Sequence, residues 1–426
     1  MVTTLMIIMV VLLLLGFPMM VPMIMAPLVV IIMYFPNMDP SMMTQQLIAG
    51  IQTFVLLAVP MFIFAADIMC AGQTANRLLD FVETFVGHIH GGLAITTAAA
   101  CTLFGSISGS TQATVVAIGK PMREKLLETG YSDEDVMALI INASDIALLI
   151  PPSIGMIMYA VVTGASVGEL FIAGIGPGLL ILLVFSLYNY FIAKKKKYPK
   201  RPKATWGERG KATKRALLPF GFPAIIIGGI YTGVFSPTEA AAASVLYAAI
   251  LEIVIFKTVK ISDLPRIALS TGLVTAAVFI LVAGGQAFSW TISYAKIPQM
   301  ITASVLGTDP SAMKILINVT LFYFVGCMFV DPIVVIIILT PIFYPIAINA
   351  GIDPIHLGVL ITLQAAIGSA TPPFGCDIFT ACAVFDKPYL KVIRNTPPYI
   401  FMLVSVAIAM MFFPEIALSV RDIALK

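Results

Sequence analysis

The segment Gly105-Ser-Ile-Ser-Gly-Ser-Thr-Gln-Ala-Thr-Val-Val-Ala-Ile-Gly-Lys120 places a cluster of glycine and hydroxyl side chains inside the apolar run 93–122. Hydrocarbon offers no water to an unpaired backbone, so non-helical chain at that depth must be buried in protein or line a polar cavity. A helix that crosses a bilayer needs about 20 apolar residues. A break at Ser106–Ser110 leaves roughly fifteen residues before it and about ten after it, at about 1.5 Å each, short of a hydrocarbon core of about 30 Å. The segment therefore reads as a re-entrant helical hairpin that enters and leaves on one side. A Ser/Gly-rich helix packed closely on a neighbour is the other way to use the same residues.

The pattern recurs, which favours the hairpin. Pro121, Gly130, Ser132 and Pro151-Pro152 punctuate one half; Pro341, Gly351, Asp353 and Pro372-Pro373 punctuate the other, at an offset of 220 or 221 residues. On this register the neighbourhood of Thr111 falls on Asp331, in Gly326-Cys-Met-Phe-Val-Asp-Pro332. A second hairpin is expected over about 312–344, with Asp331 at or near its tip. Each hairpin is followed by a helix interrupted at Pro-Pro, in Leu149-Ile-Pro-Pro-Ser-Ile-Gly155 and in Gly368-Ser-Ala-Thr-Pro-Pro-Phe-Gly375. Matched, broken apolar segments in two halves mark the substrate and ion sites of secondary transporters.

Composition agrees: 59% hydrophobic and 11% charged residues, with a mean hydropathy of +1.01, describe a polytopic membrane protein without a soluble domain. The 426 residues leave room for about ten spanning segments plus the hairpins. Cys70, Cys101, Cys327, Cys376 and Cys382 form no CxxC pair and sit in apolar surroundings, and His88, His90 and His356 are scattered, so neither set reads as a metal site. Residues 1–15 lack a basic n-region and read as a first membrane segment; a second apolar run ends at Pro36, and 44–69 reads as the next span. Residues 73–86 carry Arg77, Asp80 and Glu83 at helical spacing, an amphipathic helix along the membrane surface.

Charge sets the orientation. Residues 194–215 hold eleven Lys/Arg and one Glu; without them the formal charge of +3 becomes −7. Between spanning helices such a run is a cytoplasmic loop under the positive-inside rule rather than a nucleic-acid patch. Counting back places Lys120, Arg123 and Lys125 on the same side, so the first hairpin enters from the cytoplasm. Counting forward, with 298–306 not spanning, the second enters from the outer face, and the broken helix 355–385 returns to Lys387, Lys391 and Arg394 before 397–418 leaves. The fold class is an all-α polytopic membrane protein of two inverted-topology repeats, the arrangement that permits alternating access. Its expected division is 1–92, scaffold helices and an amphipathic arm; 93–165, the first transport repeat; 166–311, scaffold with the basic loop; 312–386, the second transport repeat; and 387–426, a C-terminal scaffold helix.

Gly105-Ser-Ile-Ser-Gly-Ser110 with Ala117-Ile-Gly119, Pro151-Pro-Ser-Ile154, Phe235-Ser-Pro-Thr-Glu-Ala240 and Thr371-Pro-Pro373 resemble the large membrane subunit of tripartite ATP-independent periplasmic (TRAP) transporters, of DctM/SiaM type, over essentially the whole chain. The resemblance implies a sodium-driven elevator transporter of the bacterial inner membrane for a carboxylate such as sialic acid or a C4-dicarboxylate. It also implies two partners, a small four-helix membrane subunit, here a separate polypeptide, and a periplasmic substrate-binding protein.

The chemistry of the site can be stated from residue types. Sodium wants several oxygens, and unwound carbonyls and hydroxyls supply them. Ser106, Ser108 and Gly109 facing Asn142, Ser144 and the 150–153 break offer one cage; Gly326 and Asp331 facing Gly368, Ser369 and Thr371 offer a second. For each hydroxyl the alternative is a back-bond to its own helix. An anionic substrate would meet half-helix N-termini starting at Ser110 and Pro152, with Ser108, Ser110, Ser153 and Asp331 as candidate contacts. An acid at membrane mid-depth costs about 2.5–3.5 kcal/mol on insertion scales, which favours a cation partner for Asp331. Glu239, after Pro237 in a first helical turn, reads as structural; Asp67, Asp145 and Asp377 stay open between packing and ion-path roles. A primary pump is excluded by the absence of GxxxxGK[ST]. An intramembrane enzyme finds neither GxSxG nor HExxH, so the chain reads as a secondary transporter, with a stand-alone sodium-coupled anion transporter as the alternative.

Overall fold

A computed structural model of the chain describes residues 1–301 and 310–424, and every regular element among them is helical. The helices α1 (Val2–Leu14), α2 (Met20–Tyr34), α3 (Ser41–Ile51) and α4 (Ala58–Ala71) lead into the amphipathic α5 (Thr74–Val86). The first broken stretch comprises α6 (Gly92–Ser108), α7 (Thr111–Glu128), α8 (Asp133–Ser144) and α9 (Ile154–Thr163). Four longer helices and a short one follow: α10 (Val167–Lys196), α11 (Trp206–Tyr231), α12 (Pro237–Ala249), α13 (Leu264–Tyr294) and α14 (Ile297–Ile301). The second broken stretch comprises α15 (Ala312–Phe329), α16 (Pro332–Asn349), α17 (Pro354–Ser369) and α18 (Cys376–Phe385). The chain closes with α19 (Tyr389–Ile393), α20 (Pro397–Phe412) and α21 (Glu415–Ala424).

Two expected spans are broken. The run 44–69 divides at Gln52-Thr53, and a 3-10 turn over Phe54–Leu57 precedes α4. Pro60 lies in the first turn of α4, where its missing N–H needs no intrahelical partner, so the helix can restart there but not run through. The run 397–418 divides before Pro414, and the axis turns by 66° between α20 and α21. Among the described residues six helices are long and apolar enough to cross a membrane, or seven if the bent pair is one span, fewer than the ten the chain length allows. The difference lies in short apolar pieces, α1, α2, α6, α9, α17 and α18 among them, into which turns and Pro-Pro breaks cut the apolar runs. The arms of the second hairpin are longer than the half-helices expected, 18 residues each, or about 27 Å. The expectation that 298–306 does not span lies partly outside the described residues.

Packing gives two neighbourhoods. α12 packs on α4, α13 on α2, α3 and α4, and α11 on α5 and α12. The broken stretches pack on one another: α6 on α7 and α8, α9 on α16, and α17 on α15 and on the 3-10 turn Asp145–Leu148. The 30-residue α10 runs beside α6, α17, α20 and α21. It also measures direction. At its C-terminal end Lys196 pairs with Asp135, in the first turn of α8. At its N-terminal end Glu169 lies 3.9 Å from Arg421, which bonds Asp353, the N-cap of α17, at 3.0 Å. The corresponding helices α8 and α17 thus start at opposite ends of α10, as opposed topology requires.

Candidate functional site

Both hairpins turn in two residues. α6 ends at Gly109 in the left-handed region (φ 59°), and Ser110 is extended and caps α7 by accepting from the Ala113 N–H at 3.4 Å. Gly109 is held there for space as well as for φ: a Cβ would come within 2.3 Å of the Pro152 carbonyl oxygen. α15 ends at Phe329, Val330 is extended, and Asp331 Oδ1 caps α16 by accepting from the Ile333 N–H at 2.9 Å. The two cap positions, Ser110 and Asp331, stand 221 residues apart, within the offset of 220 or 221 at which the breakers recur.

Each tip is hydrogen-bonded to the break that follows it. The Ile154 N–H, just past Pro151-Pro152, donates to Gly109 O at 3.4 Å; the Phe374 N–H, just past Pro372-Pro373, donates to Met328 O at 3.1 Å. Both Pro-Pro bonds are cis. Close approach supports these contacts. A Cβ at Gly105 would lie 2.5 Å from Ala147 Cα, so α6 rests directly on the 3-10 turn, and a Cβ at Gly368 would lie 2.4 Å from Cys327 Cβ.

For the hydroxyls the back-bond is the commoner outcome. Ser106 donates to Leu103 O, Ser144 to Ile140 O, and Thr371 to Ile367 O. Ser108 instead lies 3.1 Å from Thr114 Oγ1, within the tip. Ser153 accepts from the Met156 N–H, so the half-helix after the first break begins at Ile154 with Ser153 as cap, and not at Pro152. Asn142 donates to Ala138 O, leaving its Oδ1 buried without a donor. Gly326 packs on Val335, and Gly368 on the end of α15.

What joins the two halves is a set of residues that the sequence left open or passed over. Asp377, fully buried in the first turn of α18, accepts from Thr111 Oγ1 at 2.7 Å and from Ser369 Oγ at 2.7 Å. It thus ties the first hairpin tip to the second break. Asp145, at the first residue of the 3-10 turn, faces Asp377, and its carboxyl oxygens are buried with no N–H or hydroxyl donor among the described residues. Gln112, beside Thr111, lies near the Asp331 carboxylate, so the two tips approach one another. Thr111 and Gln112 carry no signal of this in the sequence, because their partners stand more than 200 residues away. Asp67 is elsewhere, accepting from Thr271 Oγ1 at 2.6 Å on the α4–α13 seam. Glu239 closes a capping box with Ser236, a structural role as read.

A buried carboxylate and a buried amide oxygen without donors suit a cation better than an apolar interior. The arrangement is two helix breaks and two hairpin tips brought to one place, built of oxygens and helix ends. Such a set of oxygens and helix ends has the chemistry to take ions and small polar solutes.

Residues 6–416 match the family described as the tripartite ATP-independent periplasmic transporter, DctM component. The chain is 58% identical over 425 residues to the ectoine/5-hydroxyectoine TRAP transporter large permease protein UehC of Ruegeria pomeroyi, covering 100% of this chain and 99% of that one. It is 60% identical over 416 residues to the ectoine TRAP transporter large permease protein TeaC of Halomonas elongata, covering 97% of each. The sialic acid TRAP transporter large permease protein SiaM of Vibrio cholerae is 35% identical over 89% of each chain. Among solved structures the fold is similar to the YdaH transporter of Alcanivorax borkumensis, with a TM-score of 0.60 at 14% identity over 87% of each chain. The chain belongs to the DctM family of TRAP transporters as its large permease component, a membrane transport protein and not an enzyme.

Proposed function

We propose that this permease imports ectoine or a close relative across the bacterial inner membrane, driven by sodium. The observation that carries the substrate is the end-to-end identity of 58% and 60% to two ectoine permeases. Relatives named for sialic acid and C4-dicarboxylates reach 35% and 37%, so those expected substrates give way to ectoine, a small cyclic amidinium carboxylate. Its carboxylate suits the positive ends of α7 and α9, where Ser110 and Ser153 each satisfy a single first-turn N–H. Its amidinium suits the Asp331 carboxylate where the tips approach one another.

Sodium is carried as a co-substrate. The residues that suit it are the orphan oxygens of Asn142 and Asp145 beside Ser108, Gly109 and Ser144 in the first half. In the second half they are Asp331 with the breaks at Gly368, Ser369 and Thr371. The hairpins and broken helices move as one body against the α2–α4, α11–α13 neighbourhood, the elevator form of alternating access. A small membrane subunit covers part of the apolar surface of that static neighbourhood, and a periplasmic binding protein delivers the solute.

The test is uptake of labelled ectoine into proteoliposomes holding the permease with its small subunit and binding protein. Uptake should need an inward sodium gradient and be competed by 5-hydroxyectoine but not by sialic acid or succinate. Equal uptake in sodium-free buffer under a proton gradient would overturn the coupling; competition by succinate alone would overturn the substrate.

A further inference from the structure

We infer that a cleft between α5 and the start of α11 is a binding site for the headgroup of an anionic phospholipid. The cleft, of about 790 Å³, is lined by Lys203, Lys211 and Arg215, and by Arg201, Asp80 and Glu83. Glu83 is already paired, accepting from Lys125 and Arg201, and Glu208 is held in place by the N–H and hydroxyl of Thr205 in a capping box. That leaves Lys203, Lys211 and Arg215 against Asp80 and Glu208, an excess of positive charge at the cleft. Beside the cleft the Arg209 guanidinium lies over Trp206 at 5.1 Å and over Phe85 at 5.5 Å, and its Nε is buried with no acceptor among the described residues.

The depth is set by the same residues. Trp206 is 82% exposed at the first position of α11, and tryptophan at a helix end marks the headgroup level. Two residues beyond Arg215 the helix becomes apolar and outward-facing, with Leu217 66% exposed. Phe81 of α5 and Phe220 of α11 close ring to ring at 5.2 Å where the two helices meet. Along α11 the order is Trp206, then Lys211 and Arg215, then exposed Leu217, so the cations lie between the interfacial tryptophan and the apolar face, which matches a phosphate with acyl chains rather than a free soluble anion. Lysine and arginine near a membrane surface draw anionic lipid, and the cleft gathers Lys203, Lys211 and Arg215 into a concave site.

The experiment uses the purified full-length chain in detergent, with lipid retention by native mass spectrometry and melting temperature as readouts. Phosphatidylglycerol should be retained over phosphatidylcholine by about tenfold or more and should raise the melting temperature by about 3 °C or more. Lys211→Gln/Arg215→Gln should lose both effects while melting like the unaltered protein in phosphatidylcholine. Lys194→Gln/Lys195→Gln, in the same basic segment but outside the cleft, should keep both. Equal loss in the two double variants would reduce the effect to diffuse surface charge and overturn the site. Stabilisation by inorganic phosphate equal to that by phosphatidylglycerol would overturn a lipid as its ligand.

Discussion

The carboxylates carry the strongest constraints at the scale of single residues. Asp331 spends one oxygen on the Ile333 N–H and has Gln112 near its carboxylate. Asparagine keeps a cap acceptor but removes the charge. Asp331→Asn should therefore stay folded and inserted while sodium-coupled uptake falls close to background. Asp145, open between packing and ion-path roles in the sequence, is no neutral comparison for that substitution: its oxygens are buried with no N–H or hydroxyl donor among the described residues, and Asp377 faces it. A lone buried charge is costly, so Asp145→Asn should raise the melting temperature and weaken the dependence on external sodium together. Asp67, already bonded to Thr271 on another seam, is the better control. Asp67→Asn should leave sodium dependence unchanged. Melting curves beside sodium titrations of uptake decide it. An Asp331→Asn protein with ordinary sodium dependence would remove the carboxylate from the coupling scheme.

Helix ends, breaks and buried anchors act at the scale of elements, and here the sequence was legible to different depths. The hairpins, the Pro-Pro breaks and the amphipathic α5 follow from glycine, proline and hydroxyl residues recurring at one offset, because such residues act on the backbone where they stand. The caps Ser110 and Asp331 stand 221 residues apart, within the recurring offset, whereas the contact of Gly109 with Pro152 that fixes the first turn is not local and has no signal in the sequence. The Thr111–Asp377–Ser369 link was beyond sequence reasoning for the same reason: nothing in its local sequence pairs Thr111 with Asp377. Glu252 is a third instance. It sits fully buried in the π-helical Ile250–Ile255 turn after α12. There it accepts from the N–H groups of Gln73 and Thr74 at 3.2 Å, and from the hydroxyls of Thr74 and Thr258. A Cβ at Gly72 would overlap it at 2.0 Å. This carboxylate pins the first turn of α5, the arm that joins α4 to the first hairpin. Glu252→Gln puts an amide donor where only donors point, which costs about 1–3 kcal/mol for a group left unsatisfied. The purified variant should melt lower and be cut faster by protease near residue 73. Wild-type melting with wild-type proteolysis would mean that Glu252 is not the anchor.

At the scale of the whole molecule, the two breaks lie between opposed ends. Glu83, Asp133 and Asp135 at one end gather Arg123, Lys125, Lys196, Arg201, Lys387 and Lys391, while Arg421 bridges Glu169 and Asp353 at the other. The basic end is the cytoplasmic one under the positive-inside rule, so the two breaks lie between a cytoplasmic and an outer end. The sign of charge movement then follows from the substrate. In the proposed scheme the solute, ectoine, has no net charge at neutral pH, and each sodium coupled to it would carry one positive charge inward. A single coupled sodium already makes the step electrogenic, and two make it more so. A dicarboxylate carrier with two sodium ions would move none. An inside-negative potential favours inward movement by about 2.3 kcal/mol per elementary charge per 100 mV, which accumulates roughly fiftyfold per charge. Ectoine uptake by the reconstituted complex should therefore accelerate when valinomycin and an outward potassium gradient set the interior negative. It should slow when the gradient is reversed, and the sodium dependence should be steeper than a single-site curve because two oxygen-lined breaks are present. Uptake indifferent to the imposed potential at fixed sodium gradient would mean that no net charge moves, and neither cage would then be loading a cation together with a neutral substrate.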